Sequence, residues 1–164
     1  MQHRVLCFGD SNTYGYDPRS CLGGRYPESV RWTGLLKARG WEIINEGENG
    51  RAIPRLGREM EAAVQTVCRS GAEALAVMLG SNDLLQRPGL ISAETCARWM
   101  EAFLSAIEDA APAGLKVLLI APPPMELGGW VPDDRLIKES RRLAGCYGEL
   151  ARRMGVGFAD AGSK

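Results

Sequence analysis

The sequence lacks long apolar runs and paired cysteines, and each absence argues against a class of protein. No segment reaches the ~20 consecutive apolar residues that a membrane helix requires, and the first apolar run, Val5–Phe8, is too short for a signal peptide. The five cysteines are odd in number and show no Cys-x-x-Cys spacing, which favours small buried thiols in a reducing compartment. We therefore expect a cytoplasmic protein with no membrane association, no metal and no organic cofactor.

An excess of charge of either sign is also absent. Lysine plus arginine and aspartate plus glutamate both total 20, which argues against nucleic acid or an anionic membrane as the partner. The 164 residues and the apolar share of 45% are ordinary for a globular protein with a sizeable core. Since no linker, repeat or low-complexity stretch interrupts the chain, residues 1–164 are expected to form a single domain.

Short apolar runs alternate with longer amphipathic segments along the whole chain. The predicted strands are Arg4–Phe8, Glu42–Asn45, Ala74–Leu79, Lys116–Ala121 and Val156–Ala159. The predicted helices are Val30–Arg39, Arg55–Arg69, Ser92–Ala110 and Asp134–Met154. The apolar runs are continuous, which is typical of strands buried on both faces. Strand–helix alternation of this kind predicts a parallel sheet with helices on both faces.

Two polar turns are predicted at the same edge of this sheet. Phe8-Gly9-Asp10-Ser11 follows the first strand, and Gly80-Ser81-Asn82-Asp83 follows the third. Ligands of such sheets bind outside the carboxyl ends of the strands. Ser11 is a candidate nucleophile, which would need a base and hydrogen-bond donors for an oxyanion. The Gly50 N–H and the Asn82 side chain are candidate donors, although each motif taken singly is more often ordinary turn chemistry.

Together, in this order, these motifs resemble those of the SGNH hydrolases, also called GDSL-type esterases. Four stretches resemble a branch of short intracellular arylesterases that can also transfer acyl groups: Arg4–Ser11, Arg31–Leu36, Val117–Pro124 and Phe158–Ser163. The resemblance implies a flavodoxin-like three-layer α/β/α sandwich with a five-stranded parallel sheet. It also implies a serine ester hydrolase acting on short-chain acetyl or aryl esters through an acyl-enzyme, with homo-oligomeric assembly left open.

The resemblance assigns roles to individual residues. Ser11 would be the nucleophile, and the Ser11 and Gly50 backbone N–H groups with the Asn82 side chain would form the oxyanion hole. Asn12 and Tyr14 follow the nucleophile and are expected to line the substrate pocket, with a purely structural role as the alternative. Asp83 belongs to the same predicted substrate-binding set, although Asp83 is also expected to fix its turn by hydrogen bonds to the backbone.

The family's last block, Asp-x-x-His, is missing from the sequence. The one histidine, His3, lies at the start of the first predicted strand. Five extended residues at ~3.3 Å each place it roughly 16 Å or more from Ser11, so it cannot be the base. Asp160 is expected to be a turn residue. We expect the natural gene product to continue beyond Lys164 into the catalytic loop and a final helix, and the 164 residues alone to be inactive.

Two other interpretations remain open. One is a catalytically silent SGNH-like domain that binds an ester, a sugar or a protein. The other is a nucleotide- or flavin-binding domain, which would require cofactor contacts around Gly9–Thr13. Beyond the fourth strand, Met125, Leu127 and Trp130 could form an apolar wall for a substrate or simply a crossover.

Overall fold

The fold is built on a five-stranded parallel sheet. The computed structural model describes residues 3–86, 89–129, 131 and 133–163; Trp130, predicted to lie on an apolar wall, and Lys164 lie outside these ranges. The strands are β1 (Arg4–Gly9), β2 (Glu42–Gly47), β3 (Ala74–Met78), β4 (Lys116–Ala121) and β5 (Gly157–Asp160). Their spatial order is β2-β1-β3-β4-β5, and every pair is parallel. The predicted flavodoxin-like sheet is therefore confirmed.

The helices connect these strands on both faces of the sheet. They are α1 (Ser11–Tyr14), α2 (Trp32–Ala38), α3 (Gly57–Arg69), α4 (Ser81–Gln86), α5 (Ala93–Ala110) and α6 (Asp134–Met154). A short 3₁₀ turn over Glu28–Val30 precedes α2. The four predicted helices are confirmed. The two segments that follow β1 and β3 were predicted as turns, and this was wrong, because each begins a short helix.

Local signals explain the bounds of the longest helix. The Asp133 carboxylate accepts hydrogen bonds from the N–H groups of Arg135 and Leu136, which caps the start of α6. Gly155 ends the helix in the left-handed conformation, with φ 68°. Between these ends one face of the helix is buried, including Leu143, so α6 is held mainly by packing against the sheet and α5.

Alternate residues of the strands enter two apolar clusters. Leu6, Phe8 and Val77 lie in the larger cluster with side chains from α3, α5 and α6. The rings of Phe8 and Phe103 pack there with centroids 5.6 Å apart. Cys7 and its neighbours on the other face form a smaller cluster, against which Trp32 packs. The sheet is therefore the middle of three layers, as predicted.

The edge strands differ from the expectation of burial on both faces. β1 and β3 are almost fully buried, but every residue of β2 is only half-buried. In β5, Phe158 is 40% exposed. Each of these strands has a neighbour on one side only, so a continuous apolar run does not guarantee a central position. Within the ranges described, no helix is long and apolar enough to span a membrane.

Candidate active site

Three segments meet at the carboxyl edge of the sheet. Gly9, the last residue of β1, pairs with Gly47 of β2 and with Met78 of β3. The chain continues from these strand ends into α1, into the loop after β2 and into α4. The structure therefore places the segments that carry Ser11, Gly50 and Asn82 side by side.

Ser11 is the first residue of α1. Asp10 caps this helix, and its Oδ1 accepts a hydrogen bond from the Asn12 N–H at 2.8 Å. Close packing dictates glycine at position 9, since a Cβ there would overlap the Thr13 side chain and lie 2.8 Å from the Met78 carbonyl oxygen. Ser11 itself is half-buried, and its hydroxyl is carried at the rim of the sheet by a tightly built turn.

The Asp10 carboxyl group is buried under this turn. Asp10 is 0% exposed, and its Oδ2 has no hydrogen-bond partner in the described part of the chain. Burial raises the pKa of Asp10 to about 6, and hydrogen bonds at Asn12 and the charge of Arg51 only partly offset that rise. Asp10 therefore fixes the turn, and its burial keeps its pKa above that of an exposed aspartate.

The loop after β2 presents Gly50 to this edge. The Glu48 N–H donates to the Gly9 carbonyl at 3.0 Å, which ties the loop to the end of β1. Gly50 has φ +80°, a conformation that side chains disfavour. Among the described residues, no acceptor is bonded to the N–H of Gly50 or to that of Ser11. Both groups are therefore available to a ligand.

Asn82 and Asp83 lie in the first turn of α4. The Asn82 Nδ2 donates to the Arg51 carbonyl at 2.9 Å, which uses one of its two hydrogens and leaves the second available. The Asp83 side chain is fully buried, and its Oδ2 accepts from the Ile53 N–H at 3.0 Å. Burial raises the pKa of Asp83 to about 6. Asp83 thus bonds the backbone, and its substrate-binding role stays a prediction.

Two cavities flank Asn12, which is exposed beside Ser11. The first has a volume of about 410 Å³, and Ser11, Tyr16 and Trp32 are among its lining residues. The second has a volume of about 350 Å³. It is lined by Asn12, Trp32, Met78, Ile120, Pro123, Ala159, Asp160 and Ala161. A substrate bound at Ser11 could extend into either cavity.

Tyr14 is held by a neighbouring arginine. The Arg25 guanidinium stacks 4.3 Å from the centroid of the Tyr14 ring, and its Nε donates to the Tyr14 carbonyl at 2.7 Å. Tyr14 lines neither of the two cavities. Its predicted contact with substrate therefore stays a prediction.

No histidine accompanies Ser11 at this edge. The one histidine of the sequence, His3, lies at the amino edge, where its Nδ1 is 2.7 Å from the Glu73 carboxylate. Asp160 is the last residue of β5, and its Oδ1 accepts a hydrogen bond from the Gly162 N–H at 2.8 Å in the turn that follows. In the described ranges, no group of three or more His, Cys, Asp or Glu side chains could hold a metal ion.

Asn45 and Arg51 are two contributors to this edge that sequence reasoning missed. The Asn45 Nδ2 donates to the Thr13 carbonyl at 2.7 Å and lies 3.0 Å from the Thr33 hydroxyl. Arg51 stacks on the Phe8 ring with its guanidinium carbon 4.2 Å from the centroid. Their partners are distant in the sequence, so no local spacing could have revealed these contacts.

The fold and this edge define a class of enzyme. The chain combines a flavodoxin-like sandwich with a serine after β1 and an Asn-Asp pair after β3. Residues 7–164 match the GDSL-like Lipase/Acylhydrolase family, and the chain belongs to that family. It is accordingly a carboxylic ester hydrolase of the SGNH type.

Solved structures agree with this assignment. A protein from Agrobacterium tumefaciens str. C58, assigned as an arylesterase, is 31% identical with a TM-score of 0.82, over 98% of this chain and 84% of that one. The M. smegmatis aryl esterase is 26% identical, with the same TM-score and coverage. A carbohydrate acetylesterase family member from Sinorhizobium meliloti is 27% identical. Its TM-score is also 0.82, and the match covers 98% of this chain and 84% of that one. A comparison with curated proteins found no match.

Proposed function

We propose that the chain cleaves short-chain carboxylic esters through an acyl-enzyme on Ser11. The observation that supports this most is that the segments carrying Ser11, Gly50 and Asn82 follow neighbouring strands at one edge of the sheet. The backbone N–H groups of Ser11 and Gly50 have no acceptor in the described structure, and Asn82 keeps one side-chain hydrogen free. These are the groups that an oxyanion needs.

The reaction has two stages. The Ser11 Oγ forms a bond to the carbonyl carbon and gives its proton to a base, while the carbonyl oxygen becomes an oxyanion held by the three donors. The tetrahedral intermediate expels the alcohol, which takes up the proton. Water, or a second alcohol, then attacks the acyl group and releases Ser11. One oxyanion donor typically contributes ~3–4 kcal/mol of transition-state stabilisation.

We assign no residue to the role of base. His3 is bonded to Glu73 at the amino edge, and Asp160 is used in its own turn. The proposal therefore concerns the nucleophile and the donors, and we expect little turnover by the 164 residues unless a base is added.

The proposed substrates are acetyl esters of aryl alcohols or sugars. The cavity of about 350 Å³ beside Asn12 is lined mainly by apolar side chains, including Met78 and Ile120, which suit the apolar part of an ester. The related M. smegmatis protein is an aryl esterase, and the Sinorhizobium meliloti protein is a carbohydrate acetylesterase family member. Transfer of the acyl group to an alcohol other than water is part of the same proposal.

Ester cleavage with an added base tests the proposal. The release of 4-nitrophenol from its acetate, butyrate and octanoate is measured with and without imidazole, for the natural chain and for Ser11→Ala. We expect imidazole to accelerate the natural chain more than Ser11→Ala, with the acetate cleaved faster than the octanoate. Asn82→Ala should lower the Ser11-dependent rate by ~10²–10³-fold. Equal rates for the natural chain and Ser11→Ala, both with and without imidazole, would refute the proposal.

A catalytically silent binding domain is the second candidate. The observation that favours it is the placement of His3 at the wrong edge of the sheet. A fluorophosphonate distinguishes the candidates, because an unactivated serine does not react with it. Labelling in the presence of imidazole that is lost in Ser11→Ala supports the esterase. Absent labelling, together with a thermal shift caused by an ester or sugar, supports the binding domain.

A further inference from the structure

The three segments of the candidate site need a device that holds them in register. Ser11, Gly50 and Asn82 follow three different strands, and each sits on a loop or short helix. Backbone pairing between the strands ends at Gly9 and its partners. The groups that would act on a substrate all lie beyond that point, where the sheet no longer fixes them.

The Arg51 side chain crosses two of these segments. Its Nη1 donates to the Gly9 carbonyl at 3.1 Å and also to the Glu46 carbonyl. Its Nη2 donates to the Glu48 carboxylate at 2.8 Å. The guanidinium thus bonds the end of β1, the end of β2 and the loop after β2 at once.

The guanidinium is also held against the core. Its carbon lies 4.2 Å from the centroid of the Phe8 ring, a geometry in which the cation is attracted to the face of the ring. The Arg51 side chain is only 17% exposed. Stacking and partial burial reduce its motion, so the hydrogen bonds of the guanidinium transmit a fixed position to the loop.

The segment that carries Asn82 is bonded to the backbone of Arg51. The Asn82 Nδ2 donates to the Arg51 carbonyl at 2.9 Å, and Gly50 is the residue directly before Arg51. A displacement of Arg51 would therefore move the Gly50 N–H and the acceptor of the Asn82 amide together.

We propose that Arg51 is a positioning residue, whose side chain fixes the Gly50 N–H and the Asn82 amide relative to Ser11. The inference rests on the proposed function for its catalytic consequence, but its structural part can be measured without turnover. Arg51 contacts the groups that hold the site and acts on a substrate through them. Lysine cannot replace it, because one ammonium group lacks the planar fork that reaches two carbonyls and a carboxylate at once.

The variants are Arg51→Met, which keeps an apolar stem on Phe8, and Arg51→Lys, which keeps the charge. Arg153→Met is the matched control, because Arg153 also bonds a carboxylate, that of Glu101 at 3.0 Å. It lies at the end of α6 that leads into the start of β5, at the edge of the sheet away from Ser11. The first readout is imidazole-assisted, Ser11-dependent hydrolysis of 4-nitrophenyl acetate, with kcat and KM separated and the folded fraction measured by circular dichroism.

The second readout is NMR and requires no catalysis. In the natural chain we expect separate, slowly averaging Nη resonances for Arg51, and averaged ones for Arg153. Both Arg51 variants should shift or broaden the side-chain amide resonances of Asn82 and lower kcat by ~10²-fold with KM unchanged. Arg153→Met should alter neither.

The following outcomes would refute either the positioning role of Arg51 or the proposed function. Rapidly averaging Arg51 Nη resonances in the natural chain would refute the inference without any variant. Unchanged Asn82 resonances in folded Arg51→Met would refute it as well, as would a fall in kcat that only follows the folded fraction. If the natural chain shows no Ser11-dependent hydrolysis, the proposed function fails, and the Asn82 and Arg51 resonances alone decide the inference.

Discussion

Replacing Asp10 by asparagine should change how stability depends on pH. Asp10 is 0% exposed and its Oδ2 has no partner among the described residues. The remaining oxygen accepts from the Asn12 N–H, a bond that an asparagine carbonyl oxygen can also accept. Asp10→Asn therefore keeps the helix cap and removes the titration.

The size of this change in stability follows from the pKa of the buried Asp10 carboxyl group. Burial raises the pKa of Asp10 from 3.8 to about 6, and two pKa units correspond to about 3 kcal/mol of differential stability. A raised pKa means that the folded chain binds the proton more tightly than the unfolded chain does. The contribution is therefore complete below pH 4 and is lost as the pH rises through 6.

Urea unfolding at several pH values between 4 and 7 measures this contribution. The free energy of unfolding of the natural chain should fall by about 2–2.5 kcal/mol relative to Asp10→Asn over that range, since part of the contribution is already lost at pH 4. Asp17→Asn is the control with no expected effect in this range, because the side-chain bond from Arg19 lowers the pKa of Asp17 and the stability that this bond adds is lost only as the pH falls below the range. If the natural chain and Asp10→Asn gave parallel curves from pH 4 to 7, the buried-carboxyl argument would be wrong.

Three further substitutions test the packing around the site, each by urea unfolding at pH 7. Gly9→Ala should lower the unfolding free energy by about 1–3 kcal/mol, because the new Cβ overlaps the Thr13 side chain; an unchanged midpoint would contradict this. Tyr147→Phe should cost about 1–3 kcal/mol by leaving the buried Leu79 carbonyl without its bond, and a neutral result would show that water replaces the hydroxyl. Asn45→Ala should cost about 1–3 kcal/mol because the Thr13 carbonyl loses its donor; stability equal to that of the natural chain would show that α1 needs no such tie.

Much of the fold follows from patterns within short stretches of the sequence. Apolar runs and amphipathic spacing located all five strands and the four longer helices, because burial acts on residues close together in the chain. The helices Ser11–Tyr14 and Ser81–Gln86 were missed, since a helix of one or two turns is too short to show a period. The half-buried state of β2 depends on its place at the sheet edge, which local composition does not encode.

The candidate site was likewise predictable only in part. Ser11, Gly50 and Asn82 follow strands, and parallel topology brings strand ends together, so their common edge could be predicted. The side chains that connect them could not, since Arg51 reaches Gly9 across 42 positions and Asn45 reaches Thr13 across 32. Such contacts depend on side-chain direction in the folded chain. The predicted substrate contacts of Tyr14 and Asp83 stay predictions.

The strand order has a consequence for how the protein is made. β1 pairs with β2 on one side and with β3 on the other, so its second edge stays open during synthesis until residues 74–78 have left the ribosome. An open apolar strand edge attracts other chains, and parallel pairing between distant segments is slow. We expect nascent chains that end before residue 74 to be the species most dependent on chaperones, with the candidate site assembled only after that point.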